Sequence, residues 1–206
     1  VSAVRAVVFD IGGVLERTEG WEVLGARWDA RMGFPSGEFE RRLRGSGLGL
    51  DAAFGTISEQ AFERALGELY GLDGPLLDEF LADQWDWYAG ELDTEVASYF
   101  ESLRPRYRTA MLSNSMVGAR RVEEARYGFG AMTDLIVYSH EEGIGKPEPE
   151  IYLRTCERLG VRPAEAVFVD DNEAWVAAAR ELGMRGVRFE TAAQAIAEVD
   201  RLLTGS

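Results

Sequence analysis

Three apolar runs in this 206-residue chain stop at polar side chains suited to chemistry. Ala6-Val7-Val8-Phe9 runs into Asp10, followed by Ile11 and the pair Gly12-Gly13. Ala110-Met111-Leu112 runs into Ser113-Asn114, and Val167-Phe168-Val169 into Asp170-Asp171. A fourth polar position is Lys146, next to Pro147. Of the 22 basic residues it is the single lysine; the rest are arginines. Where any cation serves, this chain uses arginine, so a lone lysine points to a compact ammonium in place of a planar fork. Retention by chance on a solvated loop is the plainer alternative. Adjacent carboxylates at a buried edge need a cation beside them. Alone, each acidic position also has a plainer use: Asp10 could cap a turn, and Asp170-Asp171 could cap a helix.

The elements that must hold these residues follow from periodicity. A continuous apolar run such as 6–9 fits a strand buried on both faces of a parallel sheet. Glycines directly after it allow a tight turn and close approach to a ligand. Further strands are expected at 108–112, 134–138, 165–169 and 185–189. They alternate with helices whose buried faces carry Val96, Phe100 and Leu103; Tyr152, Cys156 and Leu159; Trp175 and Ala179; and Ala195 and Val199. Alternation of this kind predicts an α/β fold with a doubly wound, Rossmann-like parallel sheet. Its carboxyl edge would gather Asp10, Ser113-Asn114, Lys146 and Asp170-Asp171.

Residues 17–92 read differently. Trp21, Leu24, Trp28 and Met32 share one helical face, a short helix fits Gly37 to Arg44, and a glycine-rich stretch follows at 45–49. Ser58 can cap a helix bearing Phe62, Leu66 and Leu69, and another carries Leu77, Leu81, Trp85 and Tyr88. No strand is expected there. The segment is therefore an all-helical cap inserted into a core of residues 1–16 and 93–206, with Gly12-Gly13 and Gly20 as natural hinges. It holds Trp21, Trp28, Trp85 and Trp87, which helical spacing assigns mainly to its own core.

Composition narrows the chemistry further. The net charge of −14 argues against a nucleic-acid or anionic-membrane surface. No apolar run is long enough to span a membrane, and no secretory signal is visible, so a cytoplasmic location is expected. One cysteine, Cys156, excludes an internal disulfide and a cysteine metal cluster. One histidine, His140, leaves little room for a serine–histidine triad; an exposed loop position is its expected place. A monomer and a homodimer both fit the sequence.

Taken together, Val7-Val8-Phe9-Asp10, Ala110-Met111-Leu112-Ser113-Asn114, Gly145-Lys146-Pro147 and Val167-Phe168-Val169-Asp170-Asp171 resemble the motifs of the haloacid dehalogenase-like hydrolase superfamily, in its helical-cap branch. The resemblance implies a phosphatase acting on a small phosphorylated metabolite, with Asp10 attacking phosphorus to form an aspartyl-phosphate. It implies Mg²⁺ held by Asp10, the carbonyl of Gly12, Asp170 and Asp171. Lys146 would neutralise the reacting groups. Ser113, Asn114 and the backbone at Ile11 and Gly12 would hold the phosphoryl oxygens.

The chain departs from that pattern at Gly12, where phosphatases of the family carry a second aspartate that protonates the leaving group. Without it, roughly 10²–10⁴ in rate is lost unless another acid substitutes. Glu16 is the nearest candidate, with Glu141 and Glu142 as others. A carbon–halogen hydrolase needs no such acid, but those relatives lack the metal and usually the acidic pair. A phospho-ligand-binding domain with little turnover is the third reading. Trp175 stands where relatives often carry asparagine, which leaves the hydrogen bonding around the metal open.

Overall fold

The structure, a computed structural model, describes residues 3–205. The chain begins with β1 (Ala6–Phe9) and the two-residue strand β2 (Glu16–Arg17). Helices α1 (Trp21–Met32), α2 (Glu38–Ser46), α3 (Leu48–Ala53), α4 (Glu59–Tyr70) and α5 (Gly74–Ala89) follow. Next come β3 (Glu91–Leu92), α6 (Thr94–Leu103), β4 (Arg108–Ser113), α7 (Ala119–Tyr127), α8 (Phe129–Met132) and β5 (Leu135–Tyr138). The remainder is α9 (Ser139–Glu142), α10 (Pro149–Leu159), β6 (Ala166–Asp170), α11 (Glu173–Glu181), β7 (Arg185–Arg188) and α12 (Ala192–Thr204).

The five longer strands form one parallel sheet in the order β5-β4-β1-β6-β7, with β1 at its centre. Strand alternation splits its side chains between two cores. Val7, Phe9, Met111, Val167 and Val169 pack with Phe100 and Leu103 of α6 and Val199 of α12. Ala6, Val8, Ala110, Leu112 and Phe168 pack on the other face with Ile151 and Tyr152 of α10 and Ala179 of α11. Burial on both faces is why these strands are apolar almost throughout. Helices α1 to α5 enclose a separate aromatic cluster. There Phe39 stacks on Tyr70 with ring centroids 3.6 Å apart, and Trp28 meets Phe80 edge-on. Asp29, 4% exposed, accepts the amides of Gly37 (2.6 Å) and Phe39 (2.8 Å) and so joins α1 to α2. Among the described residues no helix is long and apolar enough to cross a membrane.

Three local expectations are corrected. The stretch read as purely helical is bracketed by a small antiparallel pair, β2 against β3, too short for periodicity to reveal. The glycine-rich stretch is interrupted by α3, because Gly47 ends α2 in a left-handed conformation and a new helix starts at once. The loop before Lys146 opens with a helical turn, α9.

Where the helical segment leaves the sheet, two buried carboxyls meet. Glu16 on β2 is 2% exposed and Glu123 on α7 is fully buried. Tyr138 of β5 donates its hydroxyl to Glu123. One oxygen on each carboxyl, Glu16 Oε1 and Glu123 Oε1, has no partner. Burial, reinforced by Glu123 and Asp10, pushes Glu16 from its ordinary 4.5 up to about 9, and burial lifts Glu123 to about 7. The folded chain thus holds protons that the unfolded chain releases near 4.5, so stability falls as pH climbs from about 4.5 toward 9. Glu16→Gln keeps the shape and removes this titration. Its melting temperature is expected to exceed that of wild type by about 3 °C or more at pH 8 and to match it near pH 5. Thermal unfolding followed by circular dichroism at both pH values checks this; parallel pH dependence in the two proteins would contradict it.

Candidate active site

The sheet register aligns the polar strand ends. Phe9 lies opposite Met111 on β4 and Val169 on β6, so Asp10, Ser113 and Asp170 leave the sheet at one edge. The Asp10 amide extends the ladder by donating to Val169 O at 2.9 Å. Lys146 reaches this edge from the loop before α10. Its Nζ lies 2.8 Å from Asp10 Oδ1 and 2.7 Å from Asp170 Oδ2, with the lysine side chain fully buried. Asn114 fixes the lysine backbone: Oδ1 accepts the Lys146 amide and Nδ2 donates to the Lys146 carbonyl, both at 2.8 Å. The Trp175 ring covers the ammonium, its centroid 4.4 Å from Nζ.

One ammonium faces three carboxylates. Asp10, Asp170 and Asp171 each offer an oxygen, all within 4.8 Å of one another. Burial pushes the Asp10 carboxyl up to about 8, with Asp170 acting in the same direction and Lys146 against it. Burial and the neighbouring Asp170 also raise Asp171. The cluster therefore carries more negative charge than its lysine offsets. An all-oxygen donor set short of positive charge fits a hard divalent cation such as Mg²⁺. Gly13 serves the same packing: its φ is +77°, and a Cβ there would lie 2.6 Å from Asp171 Oδ2. That is close approach to the acidic pair, which a side chain would prevent.

A cavity of about 660 Å³ opens at this edge, lined by Asp10, Gly12, Gly13, Arg17, Thr18, Asn114, Asp171, Asn172 and Trp175. Arg17, Thr18 and Asn172 carried no motif signal. They reach the cavity because β2 and the start of α11 flank the loop after Asp10. Other expected site residues stand apart from it. Ser113 is 3% exposed and absent from the cavity wall, and its hydroxyl lies 3.5 Å from Asn114 O. Asn114 does line the cavity, but both ends of its amide are engaged by Lys146 instead of being left for phosphate. The Ile11 amide donates to Asp10 Oδ1 at 2.7 Å.

The candidate substitute acids fare no better. Glu16 faces Glu123 and is absent from the cavity wall. Glu141 is held below its ordinary range by Arg120, and Glu142 by Arg158 and Arg154. His140 is half-buried, not exposed, with Nδ1 2.7 Å from Ser115 Oγ. Around Gly12, in contrast, an added Cβ would meet nothing within 4 Å.

The chain is similar to characterised proteins over most of its length. It is 31% identical over 201 residues to Phosphatase MT3486 of Mycobacterium tuberculosis, covering 93% of this chain and 90% of that one. It is 29% identical over 203 residues to the (S)-2-haloacid dehalogenase of Xanthobacter autotrophicus, covering 93% and 77%. Against the mouse acyl-CoA dehydrogenase family member 10, at 28% identity over 209 residues, 97% of this chain spans 19% of the longer protein. A haloacid dehalogenase family enzyme of Bacteroides thetaiotaomicron, solved with magnesium and inorganic phosphate, superposes with a TM-score of 0.79 at 21% identity, over 91% of this chain and 95% of that one. The family profile for haloacid dehalogenase-like hydrolases matches residues 4–183, and with this sheet and this cluster of acids the chain belongs to that family.

Proposed function

We propose that the protein is a Mg²⁺-dependent phosphatase of small phosphorylated metabolites that works through an aspartyl-phosphate on Asp10. The observation that carries this reading is the buried Lys146 ammonium, 2.8 Å from Asp10 and 2.7 Å from Asp170, inside a cluster of three carboxylates. Asp10, the Gly12 carbonyl, Asp170 and Asp171 would hold the cation, which when bound supplies positive charge to the phosphoryl oxygens. Lys146 orients Asp10 and works against the burial that raises its carboxyl, and the cation would complete its ionisation. An Asp10 oxygen attacks phosphorus, the P–O bond to the leaving group breaks, and the leaving oxygen departs with its electron pair. Water then attacks the phosphorus, the bond between phosphorus and the Asp10 oxygen breaks, and Asp10 is released as a carboxylate while the water's proton passes to the departing phosphate or to solvent. Residues 17–92 would act as the cap over a core of 1–16 and 93–206. Arg121–Glu59 and Arg126–Asp86 ion pairs and the Ser139 hydroxyl on Ala53 O support that arrangement.

The leaving group is the point of departure. Besides Asp10, Asp171 is the one carboxyl on the cavity wall, so no spare acid stands ready. The reading therefore favours substrates whose leaving group needs little protonation, such as acyl phosphates or sugar 1-phosphates. The open space at Gly12 and the haloacid dehalogenase relative support a second reading, carbon–halogen hydrolysis, in which halide departs unprotonated. The acidic pair beside Asp10 weighs against it.

Asp10→Asn is expected to reduce phosphate release from acyl phosphates by a factor of about 10³ or more while leaving the folded structure intact, as a colorimetric phosphate assay with circular dichroism would report. Halide release from a 2-haloacid without Mg²⁺, and no phosphate release, would instead favour the second reading. Gly12→Asp has room for its side chain and should restore the missing proton donor. Its kcat/KM for alkyl phosphates is expected to rise about 10-fold or more relative to that for acyl phosphates, and an unchanged ratio would show that protonation is already supplied.

A further inference from the structure

Of the side chains on the wall of the 660 Å³ catalytic cavity, only Arg17 carries positive charge, because Lys146 is wholly buried. Its place is set from two sides. Strand β2 pairs Arg17 with Glu91 of β3. Asp93, 5% exposed, accepts from its Nε at 3.1 Å and from its Nη2, both through Oδ2. The other Asp93 oxygen accepts the amides of Glu95 and Val96 at 3.2 and 3.1 Å, at the start of α6. The Asp93 amide donates to Leu15 O at 2.8 Å. This carboxylate is therefore fixed to the core, and it fixes one edge of the guanidinium. An ordinary surface ion pair joins two solvent-exposed side chains; here a buried acid positions an arginine whose side chain is 70% exposed.

A guanidinium has five N–H donors, and Asp93 takes one from each of two nitrogens. The two Nη1 donors and the second one on Nη2 meet no acceptor among the described residues. They form the end edge of the fork, which receives a carboxylate through two parallel bonds. We propose that Arg17 determines specificity by binding a carboxylate on the leaving group, which makes phosphorylated carboxylic acids the preferred substrates. The assignment rests on the phosphatase reading for the reacting end, where the phosphoryl group meets Asp10. The cavity has the volume of a small-molecule site, so one metabolite can touch both Asp10 and Arg17. Arg17 also lines a neighbouring 710 Å³ cleft, which leaves room for the rest of the acid. A carboxylate suits this wall better than a second phosphate. Asp10 and Asp171 already stand on it, and one guanidinium offsets a single added charge.

The test compares 4-carboxyphenyl phosphate with 4-carbamoylphenyl phosphate, which match in shape and differ by one charge. Steady-state phosphate release by the full chain with Mg²⁺ is expected to show a KM about tenfold or more lower for the carboxylate. Arg17→Gln should make the two KM values equal. Arg17→Lys, which keeps the charge without the fork, should restore part of the difference. Circular dichroism checks that both variants fold. Calorimetric titration with the non-hydrolysable 4-carboxybenzylphosphonate and 4-carbamoylbenzylphosphonate, again with Mg²⁺, separates this proposal from the reading beneath it. Tighter binding of the carboxylate in wild type, lost in Arg17→Gln, supports the role of Arg17 even if neither ester is hydrolysed, and that outcome would sink the phosphatase reading alone. Phosphate release with equal KM values in wild type leaves the phosphatase reading standing and overturns the proposal. So does a preference that survives Arg17→Gln, a fall in kcat with the KM difference intact, or no binding of either phosphonate.

Discussion

The structure of this site depends on a single buried cation. Lys146 has no exposed side-chain surface and sits between Asp10 and Asp170, also buried. Taking an ammonium and two carboxylates out of water costs several kcal/mol per ion, which only good geometry and further partners offset. The partners are visible. Asn114 grips the lysine backbone at both its amide and its carbonyl, and the Trp175 face closes over Nζ. The parallel sheet brings the ends of β1 and β6, with Asp10 and Asp170, to one edge in register, and Lys146 joins them from the loop before α10, held by Asn114 just after β4. What the arrangement lacks is charge balance, because Asp171 adds a third carboxylate.

That imbalance links the fold to the chemistry. Asp10 is raised by burial because one lysine is not enough, and a divalent cation is the natural complement. The chain's overall charge of −14 keeps its surface unattractive to anions, so a phosphorylated ligand gains most where positive charge is concentrated. The gap at Gly12 then separates what the site can do from what it cannot. Asp10 and the Lys146 ammonium beside it are in place, but apart from Asp10 the wall offers one carboxyl, Asp171. Glu16 is pushed up to about 9 and so keeps its proton at neutral pH, yet it is absent from the cavity wall.

Much of this was legible from residues. The doubly buried strands announced themselves as unbroken apolar runs, and the polar residue closing each run marked the carboxyl edge. Lys146 stood out by composition, since every other basic residue is arginine. The rest depended on partners far apart in sequence. Glu16 looked like a proton donor because it is near Asp10 in the chain; only the packing of α7 shows it turned to Glu123. Asn114 looked like a phosphate ligand, but its amide matches the Lys146 backbone. Trp175 read as a departure from a family asparagine, and its contact with the ammonium needed coordinates. The β2–β3 pair is two residues deep and leaves no periodic trace.

The claim at the centre is that three carboxylates with one lysine form a divalent-cation site. Isothermal titration calorimetry of MgCl₂ into the full chain near pH 7 measures it directly. The account predicts one Mg²⁺ bound per chain with release of protons, as Asp10 ionises, and loss of binding in Asp171→Asn, whose altered side chain is exposed. No binding heat at millimolar Mg²⁺, together with an unchanged melting temperature, would contradict it.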